Sequence, residues 1–350
     1  MRARLILLAL VVLALAPGTW LRSPRGHKDY SQSLSVRKLP DAHGRMGQFD
    51  LLGAWELDGR NWRFGGYSAL LVMPGGRLLL ASDRGDSLTM TAPGAGPPAP
   101  VFARFGAHGE AEKRLSDLES LTADPQRRRV WAGYEGSNTI ERLRPGPDGA
   151  PIAEARFAPP AMHGWGGNTG PEAMVRLRDG RFIVLREVSD GWGSSRHRAL
   201  LFPGDPVDGA KPIEFSALLP GDYDPSDMAE LPDGRVLILL RRIDWSLPPG
   251  FATALLLADP AEIRAGKDWG GKIIARIAAP APPENYEGLA IVPHDDGTVG
   301  LWIVSDDNTS YFQRSLLLHL AWDPRLEPRG QHLQSGPPKA RGAQVAPRAP

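Results

Sequence analysis

The chain has 350 residues, 42% of them hydrophobic and 23% charged, enough for one large domain or two ordinary ones with a sizeable core. Its 41 basic and 40 acidic residues leave a formal net charge of +1, so nothing in the overall charge draws it to nucleic acid or anionic lipid. The lack of cysteine excludes disulfides, thiolate nucleophiles, zinc ribbons and iron–sulfur ligation, and 40 glycines with 34 prolines spread along the chain argue for many short strands rather than a helical bundle.

The first 22 residues read as a targeting segment. Arg2 and Arg4 precede a 12-residue apolar run from Leu5 to Ala16. As a helix that run rises about 18 Å, short of the roughly 30 Å hydrocarbon layer, so a secretory signal fits better than a membrane span. Pro17 follows Ala14-Leu15-Ala16 and disfavours cleavage there, so the segment is either a removed signal or a retained N-terminal anchor. Export to the periplasm or beyond is expected either way. Residues 23–47 read as an extended lead-in and residues 48–324 as the folded body. Residues 325–350, rich in Pro, Arg, Gly and Gln, cannot bury enough apolar surface to offset the entropy of ordering and read as a disordered tail.

Within the body one unit recurs five times, at Tyr67 to Gly85, Leu118 to Gly136, Pro171 to Val188, Pro225 to Arg242 and Tyr286 to Asn308. Each opens with Ser or Glu before a short apolar strand. A tight turn follows (Pro-Gly-Gly, Asp-Pro-Gln, Arg-Asp-Gly, Pro-Asp-Gly or Asp-Asp-Gly), and a second apolar strand returns. Such turns between apolar runs are hairpin signals. The openers Ser68, Glu119, Glu172, Ser226 and Glu287 lie 51, 53, 54 and 61 residues apart, and one or two further strand-like runs follow each hairpin. Four antiparallel strands per 50–60 residues predict an all-β fold, a five-bladed β-propeller, with six blades the alternative if a divergent unit hides in a long connection. The last unit has only three strands of its own. Phe49 to Leu57 is therefore expected to supply its outermost strand and close the ring.

In a propeller the first strand of each blade lines the axis, so the five openers should form a ring at one mouth. Three clustered carboxylates repel unless they are protonated or share a cation. Oxygen ligands without histidine favour Ca²⁺, with Ser68, Glu119, Glu172, Ser226 and Glu287 as the predicted ligand set. The alternative is that these side chains bond neighbouring inner strands and join the blades. The return strand of each hairpin ends at the same mouth and brings Asp83, Glu135, Glu187 and Asp306 as candidate catalytic carboxylates. It also brings Arg84, Arg186 and Arg241 as candidate binders of an anionic group. The Gly-rich loop before Glu172 adds His163 as a candidate acid or base and Trp165 as a candidate substrate contact.

The motifs FGGYSALLVMPGGRLLLASDRG, DLESLTADPQRRRVWAGYEGSNTIERL, GPEAMVRLRDGRFIVLREV, YDPSDMAELPDGRVLILLRR and NYEGLAIVPHDDGTVGLWIVSDDN resemble the phytase-like family described as having esterase-like activity. The resemblance implies an exported propeller tied to hydrolysis of phosphate or other esters, acting on a small anionic ester as a monomer. One departure is Leu240-Arg241-Arg242, where the family pattern leads one to expect Glu-Arg and so one more rim carboxylate. The Ser, Glu, Glu, Ser, Glu order also resembles the five-bladed calcium-dependent nucleotidases of the apyrase type, in which Ca²⁺ at the channel mouth binds phosphates. Two readings stand at this point: an ester hydrolase using Ca²⁺, and a non-enzymatic periplasmic binding or scaffold propeller whose Ca²⁺ is structural.

Overall fold

Alternating apolar residues and glycine-bearing turns dictate a chain whose regular structure is strands, with only short 3-10 turns besides. The computed structural model describes residues 28–106, 117–146 and 151–326, apart from 168, 192, 248 and 311. The predicted signal segment and most of the predicted tail lie outside the described residues. Among the described residues no helix is long and apolar enough to cross a membrane.

The strands form antiparallel groups of four. The first group is β4 (Tyr67–Met73), β5 (Arg77–Ser82), β6 (Asp86–Thr91) and β7 (Val101–Arg104). The second is β8 (Leu118–Ala123), β9 (Val130–Tyr134), β10 (Thr139–Pro145) and β11 (Pro151–Phe157). The third is β12 (Pro171–Arg176), β13 (Phe182–Ser189), β14 (Arg196–Phe202) and β15 (Ile213–Leu218). The fourth is β16 (Asp224–Glu230), β17 (Val236–Asp244), β18 (Gly250–Ala258) and β19 (Asp268–Ile277). The last takes β20 (Tyr286–Pro293), β21 (Val299–Ser305) and β22 (Ser315–Trp322) and is completed by β3 (Phe49–Asp58), which pairs antiparallel with β22. Two short strands in the lead-in, β1 (Ser35–Lys38) and β2 (Gly44–Met46), add to β3. The inner strands β4, β8, β12, β16 and β20 each pack on the next, and β20 packs on β4, so the sheets close a propeller-like ring. The outer edges of the third and fourth groups also meet, where β15 pairs parallel with β19 and Arg196 grips Asp268 through two bonds of 2.9 and 2.7 Å.

Apolar clusters fill the wedges between sheets. Leu237, Leu255, Leu301 and Leu318 pack between the fourth and last groups, and Leu185, Ile238 and Leu256 between the third and fourth. In four hairpins the predicted turn glycine adopts the left-handed conformation the turn needs: Gly75, Gly180, Gly234 and Gly297 have φ of 75°, 94°, 87° and 84°. The second hairpin has no glycine, and Arg127 takes that conformation instead, at φ 56°.

Candidate functional site

Each inner strand carries an irregularity at the residue singled out as its opener. In β4 the pairing skips Ser68, since Tyr67 faces Ser82 and Ala69 faces Ala81. The same skip falls on Glu119, Glu172, Ser226 and Glu287. A bulge turns its extra residue out of the ladder and re-aims its side chain. Five bulges at one height therefore present five side chains at one end of the axis.

The glutamates and serines then diverge. Glu119, Glu172 and Glu287 line a cavity of about 150 Å³ with Asp83, Glu135 and Glu187. Asp306, Asn308 and Arg241 complete its wall. Ser68 and Ser226 do not line it. The Ser68 hydroxyl donates to the Leu118 carbonyl at 2.6 Å, joining the first group to the second. That of Ser226 reaches the carbonyls of Leu239 and Tyr286 at 3.3 and 3.4 Å. Ser120 makes the equivalent link from the second group to the third, to Pro171 at 2.7 Å. The two serines therefore tie blade to blade and stand outside the cavity lining, a hydroxyl on one carbon being caught by the neighbouring strand.

The electrostatics follow from crowding. Burial pushes Glu119 well above the usual carboxylate range, and Glu172 and Glu287 push it further. Glu172 rises well above for burial first and Glu187 second, against the pull of Arg241. Burial likewise raises Asp306, then Glu287 and Asp83 beside it. Burial raises Glu287 too, opposed by Arg241 and by a 2.6 Å hydrogen bond from Asn285. Glu135 is pushed up to about 7 by burial and by Glu187.

The positive group inside this ring is Arg241, from the position where the fourth hairpin departs from the expected pattern. Its Nη2 lies 3.0 Å from Glu187 and 3.6 Å from Glu172, and its Nε 3.5 Å from Glu287. Burial works against its charge, but Glu287, Glu172 and Glu187 outweigh burial and raise its pKa. It is the one guanidinium in a wall that carries seven carboxylates.

Two sets of oxygens approach one another closely enough to hold a metal ion: Glu135, Glu172 and Glu187, and Asp117, Glu119 and Glu135, each set within 4.8 Å. These are all carboxylates, a donor set suited to a hard cation. Glu119 and Glu172 are shared with the predicted set of Ser68, Glu119, Glu172, Ser226 and Glu287; Asp117, Glu135 and Glu187 are further carboxylates, and Glu287 stands outside both groups.

Several predicted groups stand away from the cavity. Arg84 donates to the carbonyls of Phe64 and Gly65 at 2.8 and 2.9 Å, pinning the entry loop of the first group. Arg186 is bonded to Thr169. His163 is exposed and stands outside the cavity lining. Trp165 is 1% exposed and packs with Trp131, Met162, Met174 and Phe182 in the core. Sequence reasoning missed Asp117 and Asn285, and it placed Asn308 at the rim without a role. The signals were Asp-Leu-Glu before the second strand and Asn-Tyr-Glu before the last, where a polar residue two positions ahead of the opener meets it at the mouth. Gly170 lets the third entry loop pass the second hairpin: a Cβ there would sit 2.5 Å from the Glu135 Cα, and the Gly170 N–H donates to Glu135 at 3.3 Å.

Among solved structures the chain is similar to Myxococcus xanthus glutaminyl cyclase (13% identity, 81% of this chain and 97% of that one, TM-score 0.43). It is similar also to the soluble aldose sugar dehydrogenase of Escherichia coli (10% identity, 82% and 99%, TM-score 0.44). A third is MPT-4, a mannose phosphorylase of Leishmania mexicana (13% identity, 74% and 84%, TM-score 0.41). Comparison with curated protein sequences gave no match. The model of the family described as "Phytase-like: Esterase-like activity of phytase" matches residues 62–309, and the chain belongs to that family.

Proposed function

We propose that the chain is an exported hydrolase of phosphate esters or other esters, working at a Ca²⁺ in the acidic mouth of a five-bladed propeller. The observation that carries this reading is the cavity itself, where seven carboxylates converge on about 150 Å³ with one guanidinium among them. Such a concentration of charge calls for a further cation or for protons. Glu135, Glu172 and Glu187 would hold the ion, with Asp117 and Glu119 beside them. When bound, the ion supplies Lewis-acid polarisation of an ester oxygen.

The chain's own residues have separate tasks. Arg241 is the one cationic side chain in the cavity wall and orients the anionic part of a substrate. Asp83 and Asp306, carboxylates of the same cavity outside the ion-holding sets, would accept a proton from the attacking water.

A second reading, a binding or scaffold propeller with a structural Ca²⁺, is favoured by Arg241 already spanning Glu172, Glu187 and Glu287. Turnover measurements separate the two. Hydrolysis of phosphomonoesters or carboxylic esters at millimolar calcium should be abolished by chelator and lowered about tenfold or more in Glu172→Gln. A melting temperature raised by calcium with no turnover on either ester class would overturn the hydrolase reading in favour of the scaffold.

A further inference from the structure

The far ends of the same inner strands enclose a second cavity, about 290 Å³ and nearly twice the volume of the acidic one. Each strand contributes an apolar wall residue: Leu71, Leu121, Val175, Met228 and Leu289. The cavity thus lies on the axis at the mouth opposite the carboxylates. Its charged lining is reversed in sign. Arg127, Arg176 and Arg178 stand there with a single carboxylate, Glu230.

The pairing of these groups is uneven. Arg178 takes Glu230, its Nε 3.7 Å and its backbone N–H 2.9 Å from the carboxylate. Arg127 bonds only backbone carbonyls, those of Val72 at 2.8 Å and Asp124 at 3.0 Å. The Asp124 carboxylate beside it accepts from the backbone N–H groups of Arg128 and Arg129 instead. Arg176 lies over the rings of Trp131 and Phe182, 5.7 and 6.0 Å from their centres, and bonds the Leu177 carbonyl at 3.2 Å. Among the described residues, neither Arg127 nor Arg176 has a carboxylate at ion-pair distance. Burial lowers the pKa of Arg127, and Asp124 offsets that only in part.

The backbone of Arg127 adds a separate observation. Its N–H bonds the carbonyl three residues back, Asp124, at 2.9 Å. Gly180, Gly234 and Gly297 make the same turn bond to Leu177, Leu231 and His294, at 2.9, 3.1 and 3.0 Å. At this turn position three hairpins use glycine and the second uses arginine with a positive φ. The Cβ of an L-residue disfavours that conformation, and strain of this kind collects where a side chain has a task.

We propose that this mouth binds an organic carboxylate with an apolar body, its carboxylate held by Arg127 and Arg176 and its body lying along the apolar inner-strand ends. This reading is independent of the metal and of any hydrolysis at the other mouth. The size suits a small ligand, close to the lower end of the roughly 300–1,000 Å³ range of such sites.

The test is calorimetric titration of the full chain with octanoate, alongside sulfate, which has the charge without the body, and octanol, which has the body without the charge. Octanoate should bind saturably and one to one, at least about tenfold more tightly than either control. Arg127→Gly should weaken octanoate about tenfold or more while keeping the melting temperature within a few degrees of the parent, the eased turn offsetting the lost bonds to Val72 and Asp124. Ala229→Phe, which fills the cavity, should abolish binding. Absence of saturable octanoate binding, equal affinity for sulfate, or unchanged affinity in Arg127→Gly would each overturn the proposal.

Discussion

Glu172 and Ser226 occupy the same bulge in adjacent inner strands, yet one faces a shared cavity and the other the carbonyls of its neighbours. The backbone treats the five openers alike, and side-chain reach decides their use. A carboxylate two carbons out clears the neighbouring strand and enters the axis. A hydroxyl one carbon out is caught by the strand beside it. A ring of equivalent positions is thus a ring of equivalent directions, not of equivalent chemistry.

The contrast breaks most directly at Arg241. Arg241→Leu removes the one cation among the carboxylate openers and should cost about 3–5 kcal/mol at pH 8, measured by urea unfolding. The same variant should lose far less at pH 5, where the carboxylates accept protons. Ser68→Leu would not show this pH dependence, because no charge is involved.

The next effect is the response of the parent chain to pH. The folded state raises Glu119, Glu172, Glu187 and Asp306, and takes Glu135 to about 7 from an ordinary 4.5. Groups raised in this way hold more protons folded than unfolded. Their stabilising contribution is complete below the ordinary carboxylate range and is lost as pH climbs toward 7. In chelator the melting temperature should fall by several degrees between pH 4.5 and 7, and calcium should restore it at the upper end. A chelated melting temperature that rises over that interval would refute the crowded-carboxylate picture.

Smaller effects sharpen the serine side. Ser68→Ala deletes one buried hydrogen bond and should cost about 1 kcal/mol while leaving calcium affinity unchanged, as read by denaturation and calorimetry. His163→Ala, on an exposed loop, should stay within about 0.5 kcal/mol of the parent and leave any turnover intact.

The strand repeat was legible because hairpin chemistry is local: an apolar run, a turn residue that tolerates positive φ, and a second apolar run. The pairing of Phe49–Asp58 with the last sheet was legible from a missing strand at one end and a spare one at the other. The cluster of Glu119, Glu172 and Glu287 with Asp83, Glu135, Glu187 and Asp306 followed from the return of each hairpin to its starting mouth, 15 or 16 residues after the opener and 19 in the last, whose turn is longer. What escaped was everything set by side-chain direction. Trp165 sits in a glycine-rich loop that reads as open, yet the core takes its ring. Arg84 and Arg186 lie one residue to either side of the offset that Arg241 occupies, and the carbonyls of their own entry loops claim them. Arg241 read as a binder of a substrate anion standing where a carboxylate was expected, and its guanidinium already meets Glu172, Glu187 and Glu287.

The union of β3 with β22 joins residues more than 250 positions apart along the chain. A ribosome delivers the first partner long before the second, so β3, with only β1 and β2 beside it, keeps its other edge open through the synthesis of nearly every other sheet. Only when the final strand emerges can the circle shut, and only then do the acids contributed by the first and last sheets face each other. Assembly of the mouth is therefore a terminal event, timed by the slowest-arriving edge.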